Sequence, residues 1–299
     1  METLVPVVLN TVSYICILAL VAIGLAIVFG MMDVVNLAHG EFIAIGAFTV
    51  ALVQRVGGLE TARSTYWIGL LLAPLVGAIA GLILEACVVR PLYRRTLDTL
   101  LATYAVSLML QKGLELGFGT LPQIIANPMP EAVPILGAPY PAFRLFTTVV
   151  AVVLIIACLL VFARTRFGTN LRAVIQNPSM AEAVGINTLL LNRIAFASGA
   201  ALAALAGALV APLASVQAHI GVFYLGKAFF VIVLGGIGSI FGSVVGSGFI
   251  GAAETLLSYE VDPSFASALV LLMAIVIIRF RPQGLVPGFS AAHAHLGKG

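Results

Sequence analysis

Charge is what this chain has least of. Only 9% of its 299 residues are Asp, Glu, Lys or Arg, where a soluble globular domain carries about 25%. So small a supply cannot cover a surface that must meet water, and a soluble globular fold is excluded. The net charge of +3 is small and its basic residues are scattered through short loops, which leaves no patch for nucleic acid. Cysteine is scarce too. Cys16, Cys87 and Cys158 lie far apart inside apolar stretches, without metal-ligand spacing or a disulfide framework, and read as small core hydrophobes. No Gly-x-x-x-x-Gly-Lys-Ser/Thr occurs anywhere, so the chain has no phosphate-cradling loop of its own.

What is present is hydrocarbon. The chain is 61% hydrophobic with a mean hydropathy of +1.15, and its apolar runs repeat at lengths near 20 residues, about that of a bilayer-crossing helix. A transmembrane β-barrel would show short alternating segments instead. The fold class is therefore an all-α polytopic membrane protein, read as one transmembrane domain over 1–299. Spans are expected at 5–29, 37–54, 66–89, 99–117, 145–163, 194–217, 228–257 and 265–279, about eight segments. No Lys or Arg precedes the first run, so it reads as a retained span and not a signal peptide.

Arginines orient the spans. Arg90, Arg94 and Arg95 follow the third run, Arg164, Arg166, Arg172 and Arg193 lie in 164–193, and Arg279, Arg281 and Lys298 follow the last. These loops belong inside, and the proline-rich loop 118–144 outside. Parity then fails if 228–257 is one simple span, because Arg279 and Arg281 would emerge outside. Two half-length helices folding back at Gly235-Gly236-Ile237-Gly238-Ser239 restore it. Gly24 to Gly46 has the same outline as Gly226 to Gly251, so an internal repeat is expected, with re-entrant segments beside a transport path. The plainer reading is close helix packing through Gly238, Gly242 and Gly246.

The first of these breaks holds Asp33, Asn36, His39 and Glu41 within nine residues. An ionisable group at the bilayer centre costs about 2.5–3.5 kcal/mol, so this segment faces protein or water. Asn36 is expected to cap the helix that follows, with His39 and Glu41 satisfying backbone freed at Gly30 or Gly40. Lys112 and Glu115 are expected to pair at i, i+3. Glu85 and Glu254 are read as near span ends, meeting partner groups, and Lys227 as a snorkelling residue at the outer surface.

Inside the loop 164–193, Asn177 suits an N-cap, Pro178 the first helical position and Gly185 a left-handed terminus. A helix this brief needs something to pack on: lipid headgroups or a docked subunit. Ala181-Glu182-Ala183-x-Gly185 resembles the coupling loop of the membrane subunits of ABC importers. Gly24-Leu-Ala-Ile-Val-Phe-Gly30 with Val35-Asn36-Leu37-Ala38-His39-Gly40-Glu41-Phe42, Lys227 to Gly242, and Arg281-Pro282-Gln283-Gly284-Leu285 resemble, in order, three signatures of the branched-chain amino acid ABC permeases. The chain is thus identified as a member of that family, of the LivH type.

The resemblance implies a multi-pass subunit of a prokaryotic inner membrane, importing leucine, isoleucine or valine. It implies four kinds of neighbour: a related second permease in a heterodimer, two cytoplasmic ATPases, an extracytoplasmic substrate-binding protein and membrane lipid. No cofactor is implied for this chain, since ATP belongs to the ATPases, and it is not an enzyme. Coupling falls to Ala181, Glu182, Ala183 and Gly185. The path and helix breaks fall to Asn36, His39, Gly40, Glu41, Gly235, Gly236 and Gly238. Urea and short-amide permeases share these segments and form the alternative. A rhomboid-type protease lacks its Gly-x-Ser-Gly here. The Asn-Pro pairs of an aquaporin-like channel fall in polar loops, at Asn127-Pro128 and Asn177-Pro178.

Overall fold

A computed structural model describes residues 4–32, 36–58, 61–93, 95–135, 137–281 and 284–286. Asp33, Val34, Val35, Arg94, Pro282, Gln283 and Lys298, singled out above, lie outside the described residues, as do Met1, Glu2 and Thr3. The helices are α1 (Leu4–Met32), α2 (His39–Gly57), α3 (Ala62–Leu84), α4 (Thr96–Phe118), α5 (Ala142–Arg164), α6 (Arg166–Gln176), α7 (Pro178–Ala183), α8 (Thr188–Val210), α9 (Ile220–Gly235), α10 (Ile240–Leu257) and α11 (Pro263–Phe280). A π turn, Glu85–Val89, and a 3-10 turn, Arg90–Leu92, prolong α3. Strands β1 (Ala132–Ile135) and β2 (Ala138–Pro141) form a small antiparallel hairpin in the outer loop, with Val133 opposite Tyr140. Seven described helices (α1, α2, α3, α5, α8, α10 and α11) are long and apolar enough to cross a membrane. The all-α polytopic class therefore holds.

Backbone polarity explains the helices. Hydrocarbon offers N–H and C=O nothing to bond, so each crossing segment satisfies itself internally. Helix α1 is apolar all round and buried almost without a gap from Cys16 to Val28, as a central helix must be. Helices α8 and α10 pack on it, and α2 packs on α8. The buried face of α8 is nearly all alanine and glycine between Ala195 and Ala208. Gly207 lies so close to the Ile43 carbonyl of α2 that a Cβ there would overlap it, and Gly46 stands likewise against the Ala204 carbonyl. Such close approach holds membrane helices together, because lipid tails are as apolar as leucine and supply no hydrophobic drive between helices. Helices α3, α5 and α11 form the rim, exposing Leu71, Leu75 and Ile79, then Val149, Val153 and Ile156, then Leu269, Leu272 and Val276.

The parity conflict resolves at the glycines, although not by half-helices within 228–257. The incoming helix starts earlier, at Ile220. Helices α9 and α10 then run antiparallel, with Gly235 against Gly242 and Gly246 against Val231. The turn between them packs on the inner end of α1, where a Cβ on Gly30 would lie 3.6 Å from Gly238 Cα. The positive-inside assignment places that turn on the basic side. A chain that enters along α9 and leaves along α10 brings Arg279 and Arg281 back to the other arginines, although α9, at 16 residues, is shorter than the seven helices above.

Helix α1 runs unbroken past Gly30, and Gly40 lies inside the first turn of α2. The first break is thus between Met32 and His39, not at either glycine. The Gly40 and Gly221 carbonyls each occupy the place of the other residue's absent Cβ, so the first turns of α2 and α9 meet inside the protein.

Gly207→Val should destabilise the purified subunit by at least about 1–3 kcal/mol, since α2 cannot withdraw without opening the core. Gly248→Ala on α10, where nothing lies within 4 Å of an added Cβ, should be neutral or stabilising by up to about 1 kcal/mol through helix propensity. Thermal unfolding of the two variants in detergent checks the contrast.

Candidate functional site

Asn36, His39 and Glu41 are each 0% exposed. The Asn36 side-chain oxygen accepts from the Ala38 N–H at 3.0 Å, and its carbonyl accepts from the His39 N–H at 3.1 Å. Asn36 therefore closes a turn just before α2, whose N-cap position is Ala38 and carries no side-chain cap; the expected capping of the helix by Asn36 is not what the structure shows. The freed Leu37 N–H is taken by Thr103 of α4 at 3.2 Å. Glu41 sits in the first turn of α2, where the helix dipole favours a negative charge. One of its oxygens accepts from Ser107 Oγ at 2.8 Å and from Gln111 Nε2 at 2.7 Å.

Neither His39 nor Glu41 satisfies freed backbone among the described residues, which corrects the role expected for them. Glu41 is turned to α4, where Ser107 and Gln111 donate to it. The His39 ring meets Phe42 edge-on, with centroids 5.8 Å apart. Both His39 ring nitrogens, Asn36 Nδ2 and Glu41 Oε2 are buried with no partner among the described residues.

Helix α4 is the feature that residue-by-residue reading missed. Its buried positions are Thr99, Thr103, Ser107 and Gln111, all polar, while Leu97, Leu101, Leu108 and Met109 are exposed. The polar face points into the protein and the apolar face outward. Spacing of four continues to Glu115, which takes Lys112 at 2.6 Å, as expected, and His219 Nε2 at 3.1 Å. His219 Nδ1 lies 3.1 Å from the Gln111 amide oxygen. A hydrogen-bonded lane thus runs from the exposed His219 to the buried Glu41. Its signal in the sequence was the period of four, 99–103–107–111–115.

The second break and the terminal motif form one structure. Gly236 and Gly238 take φ values of 112° and 78°, which side-chain-bearing residues avoid, and Ser239 Oγ caps α10 by accepting from Gly242 N–H at 2.9 Å. Helix α9 leaves carbonyls unsatisfied at its end, as every helix does. The Leu285 N–H donates to Leu234 O at 2.7 Å and the Val286 N–H to Gly235 O at 3.1 Å.

The short helix α7 is built as its sequence reads. Asn177 Oδ1 accepts from Met180 N–H at 3.0 Å, Pro178 opens the helix and Gly185 has φ 85°. Bonds from Ile186 N–H to Ala181 O and from Gly185 N–H to Glu182 O close a Schellman terminus. Ala181 anchors the helix at 3% exposure, and Met180 and Val184 project at 63% and 70%. Ala183 and Gly185 are exposed beside Glu182, which accepts from Thr188 at 2.7 Å. Beside this helix opens a cleft of about 720 Å³, lined among others by Gly30, Tyr93, Glu182, Asn192 and Gly238. The inner end of α1, the turn between α9 and α10 and the short helix meet there.

Two expected span-end residues are interior instead. Lys227 lies within α9 at 5% exposure and is ion-paired with Glu254 of α10, itself 8% exposed. Tyr14 of α1 donates to Glu254 at 2.8 Å and stands 2.9 Å from Lys227 Nζ. Ser267 of α11 donates to Glu254 at 2.5 Å. Snorkelling does not apply to Lys227, because α9 starts seven residues before it and the ammonium points inward. Glu85 is also fully buried.

A family model described as the permease component of branched-chain amino acid transport systems matches residues 7–278. The chain is 30% identical over 283 residues to the high-affinity branched-chain amino acid transport system permease protein LivH of Salmonella typhimurium, covering 90% of each chain. It is 28% identical over 278 residues to BraD of Pseudomonas aeruginosa, covering 90% of this chain and 91% of that one. It also matches LivM of Salmonella typhimurium, 28% identical over 301 residues, with 90% of this chain and 67% of the other covered.

Leaving either charge of the Lys227–Glu254 pair alone in the interior should cost about 3–5 kcal/mol. Lys227→Met and Glu254→Gln should each lower the thermal midpoint of the purified subunit, and the double variant should recover most of the loss. Additive losses in that double-mutant cycle would refute a coupled pair.

Proposed function

The chain belongs to the family of permease components of branched-chain amino acid transport systems, and on that premise we propose that it forms one half of the path of an ATP-driven importer. It is a multi-pass membrane protein, and its cargo is leucine, isoleucine or valine. A related second permease, of the kind LivM represents among the relatives, supplies the other half. Two ATPases and an extracytoplasmic binding protein complete the assembly. With no phosphate-cradling motif in this sequence, hydrolysis falls to the partners.

The inverted face of α4 carries this reading. A helix that turns Thr103, Ser107 and Gln111 toward the broken start of α2, and Leu101 and Met109 away from it, suits the wall of a polar path. Asn36 and Glu41 lie directly against that face, Glu41 bonded to Ser107 and Gln111. Cargo carries an ammonium and a carboxylate that lose water on entry, so hydroxyl, amide and carboxylate groups at that wall replace lost hydrogen bonds.

The exposed Met180, Glu182 and Val184 form the docking face of α7 for an ATPase. ATP-driven closure of the two ATPases displaces α7, and the elements around the inner cleft rock with it between two packed arrangements.

In a background lacking Cys16, Cys87 and Cys158, cysteine at Thr103 or Ser107 should react with a membrane-impermeant thiol reagent. Reaction should be at least about tenfold faster than at Leu101 or Met109, because only a hydrated thiol ionises readily. Equal labelling of both faces would remove α4 from the path. Glu182→Arg should lower uptake per ATP by about tenfold, within the usual range of coupling energies, while membrane insertion is retained. Wild-type uptake in that variant would count against α7 as the docking helix.

A further inference from the structure

Behind Tyr93, which lines the inner cleft, lies a carboxylate that neither the path nor the docking helix explains. Glu85 is 0% exposed and begins the π turn Glu85–Val89 at the end of α3. Such turns are rare and are found mostly where a helix has a functional irregularity. One Glu85 oxygen accepts from the Tyr93 hydroxyl at 2.7 Å. The other faces Arg193 Nε of α8 at 3.6 Å, an ion-pair separation without a hydrogen bond. Asn192 stands beside the Tyr93 hydroxyl, and its buried Oδ1 has no partner among the described residues.

Arg193 lies five residues along α8 from Thr188, the residue that donates to Glu182 of α7. That is about 7.5 Å of helix rise. Helix α8 itself therefore links α7, bonded at Thr188, to Glu85 and the end of α3, paired at Arg193.

We infer that the Glu85–Arg193 pair, with Tyr93, positions α8 against α3 and passes movement of α7 into the membrane domain. The inference rests on the importer reading, in which α7 meets an ATPase. A buried carboxylate is tolerated when it is paired and hydrogen-bonded, yet Arg193 makes one long contact from a side chain that is 38% exposed. This is a contact that can be made and released. The cleft of about 720 Å³ gives the start of α8 room to move. The π turn lets the end of α3 follow without loss of its backbone bonds. Arg193 closes on Glu85 in one arrangement of the transport cycle and leaves it for water in the other.

The test uses the complete importer, with both permeases, the ATPases and the binding protein, in proteoliposomes. Leucine uptake and ATP hydrolysis are measured in the same vesicles. Arg193→Gln and Glu85→Gln should lower leucine taken up per ATP by about tenfold, with hydrolysis retained. Tyr93→Phe, which removes only a hydroxyl at the edge of the cleft, should lower the same ratio by about threefold. Arg193→Lys, which keeps the charge, should restore part of the Arg193→Gln loss. If Glu85→Gln fails to assemble, the Arg193 and Tyr93 variants decide. An unchanged ratio in both overturns the inference, including the case in which uptake and hydrolysis fall together. Wild-type vesicles that take up leucine without ATP would overturn the importer reading beneath it.

Discussion

An interrupted helix in a membrane has to find its hydrogen bonds in protein, since hydrocarbon offers none. This one constraint organises the molecule. Between Met32 and His39 the backbone leaves helical geometry, and the described part of that break, Asn36 to Ala38, is almost wholly enclosed. Asn36 serves the chain on its own side, Thr103 reaches over from α4 for the Leu37 N–H, and α9 closes against Gly40. Remove the enclosure and the break becomes unaffordable.

The same requirement explains why the inner end is crowded with glycine. The turn between α9 and α10 needs positive φ at Gly236 and Gly238 and a partner for the last carbonyls of α9, which Leu285 and Val286 provide. Gly30 of α1 lies against that turn. The result joins the end of α1, the second break and the short helix α7 around a single cleft. In the proposed cycle a push on α7 meets this cleft without crossing the close-packed glycine and alanine between α2 and α8, which permit little displacement.

Much of this was legible in the chain. Spans, fold class and the caps of α7 follow from composition, run length and the local chemistry of Asn177, Pro178 and Gly185. These are short-range properties, settled within a turn or two of backbone. The return at the glycines was also legible, because arginine parity demanded it, although its incoming helix begins at Ile220 and not at 228. Lys227 was misplaced because its partner Glu254 is 27 residues away and a lone lysine in an apolar run reads as a surface residue. The roles of His39 and Glu41 were misjudged for a similar reason: the groups that Glu41 meets belong to α4, about 70 residues on.

By itself, then, the sequence determined that this is a helical membrane protein of the branched-chain amino acid permease family, roughly where its apolar segments lie, and that its polar breaks must be enclosed. Those follow from hydrophobicity, backbone geometry and motif order, which are local. Only the tertiary structure decided which polar groups meet: Glu41 with Ser107 and Gln111, Lys227 with Glu254, Glu85 with Tyr93 and Arg193, and Gly30 with Gly238. Such pairs depend on how helices far apart in the chain are brought side by side, and in lipid that choice rests on the close fit of small residues.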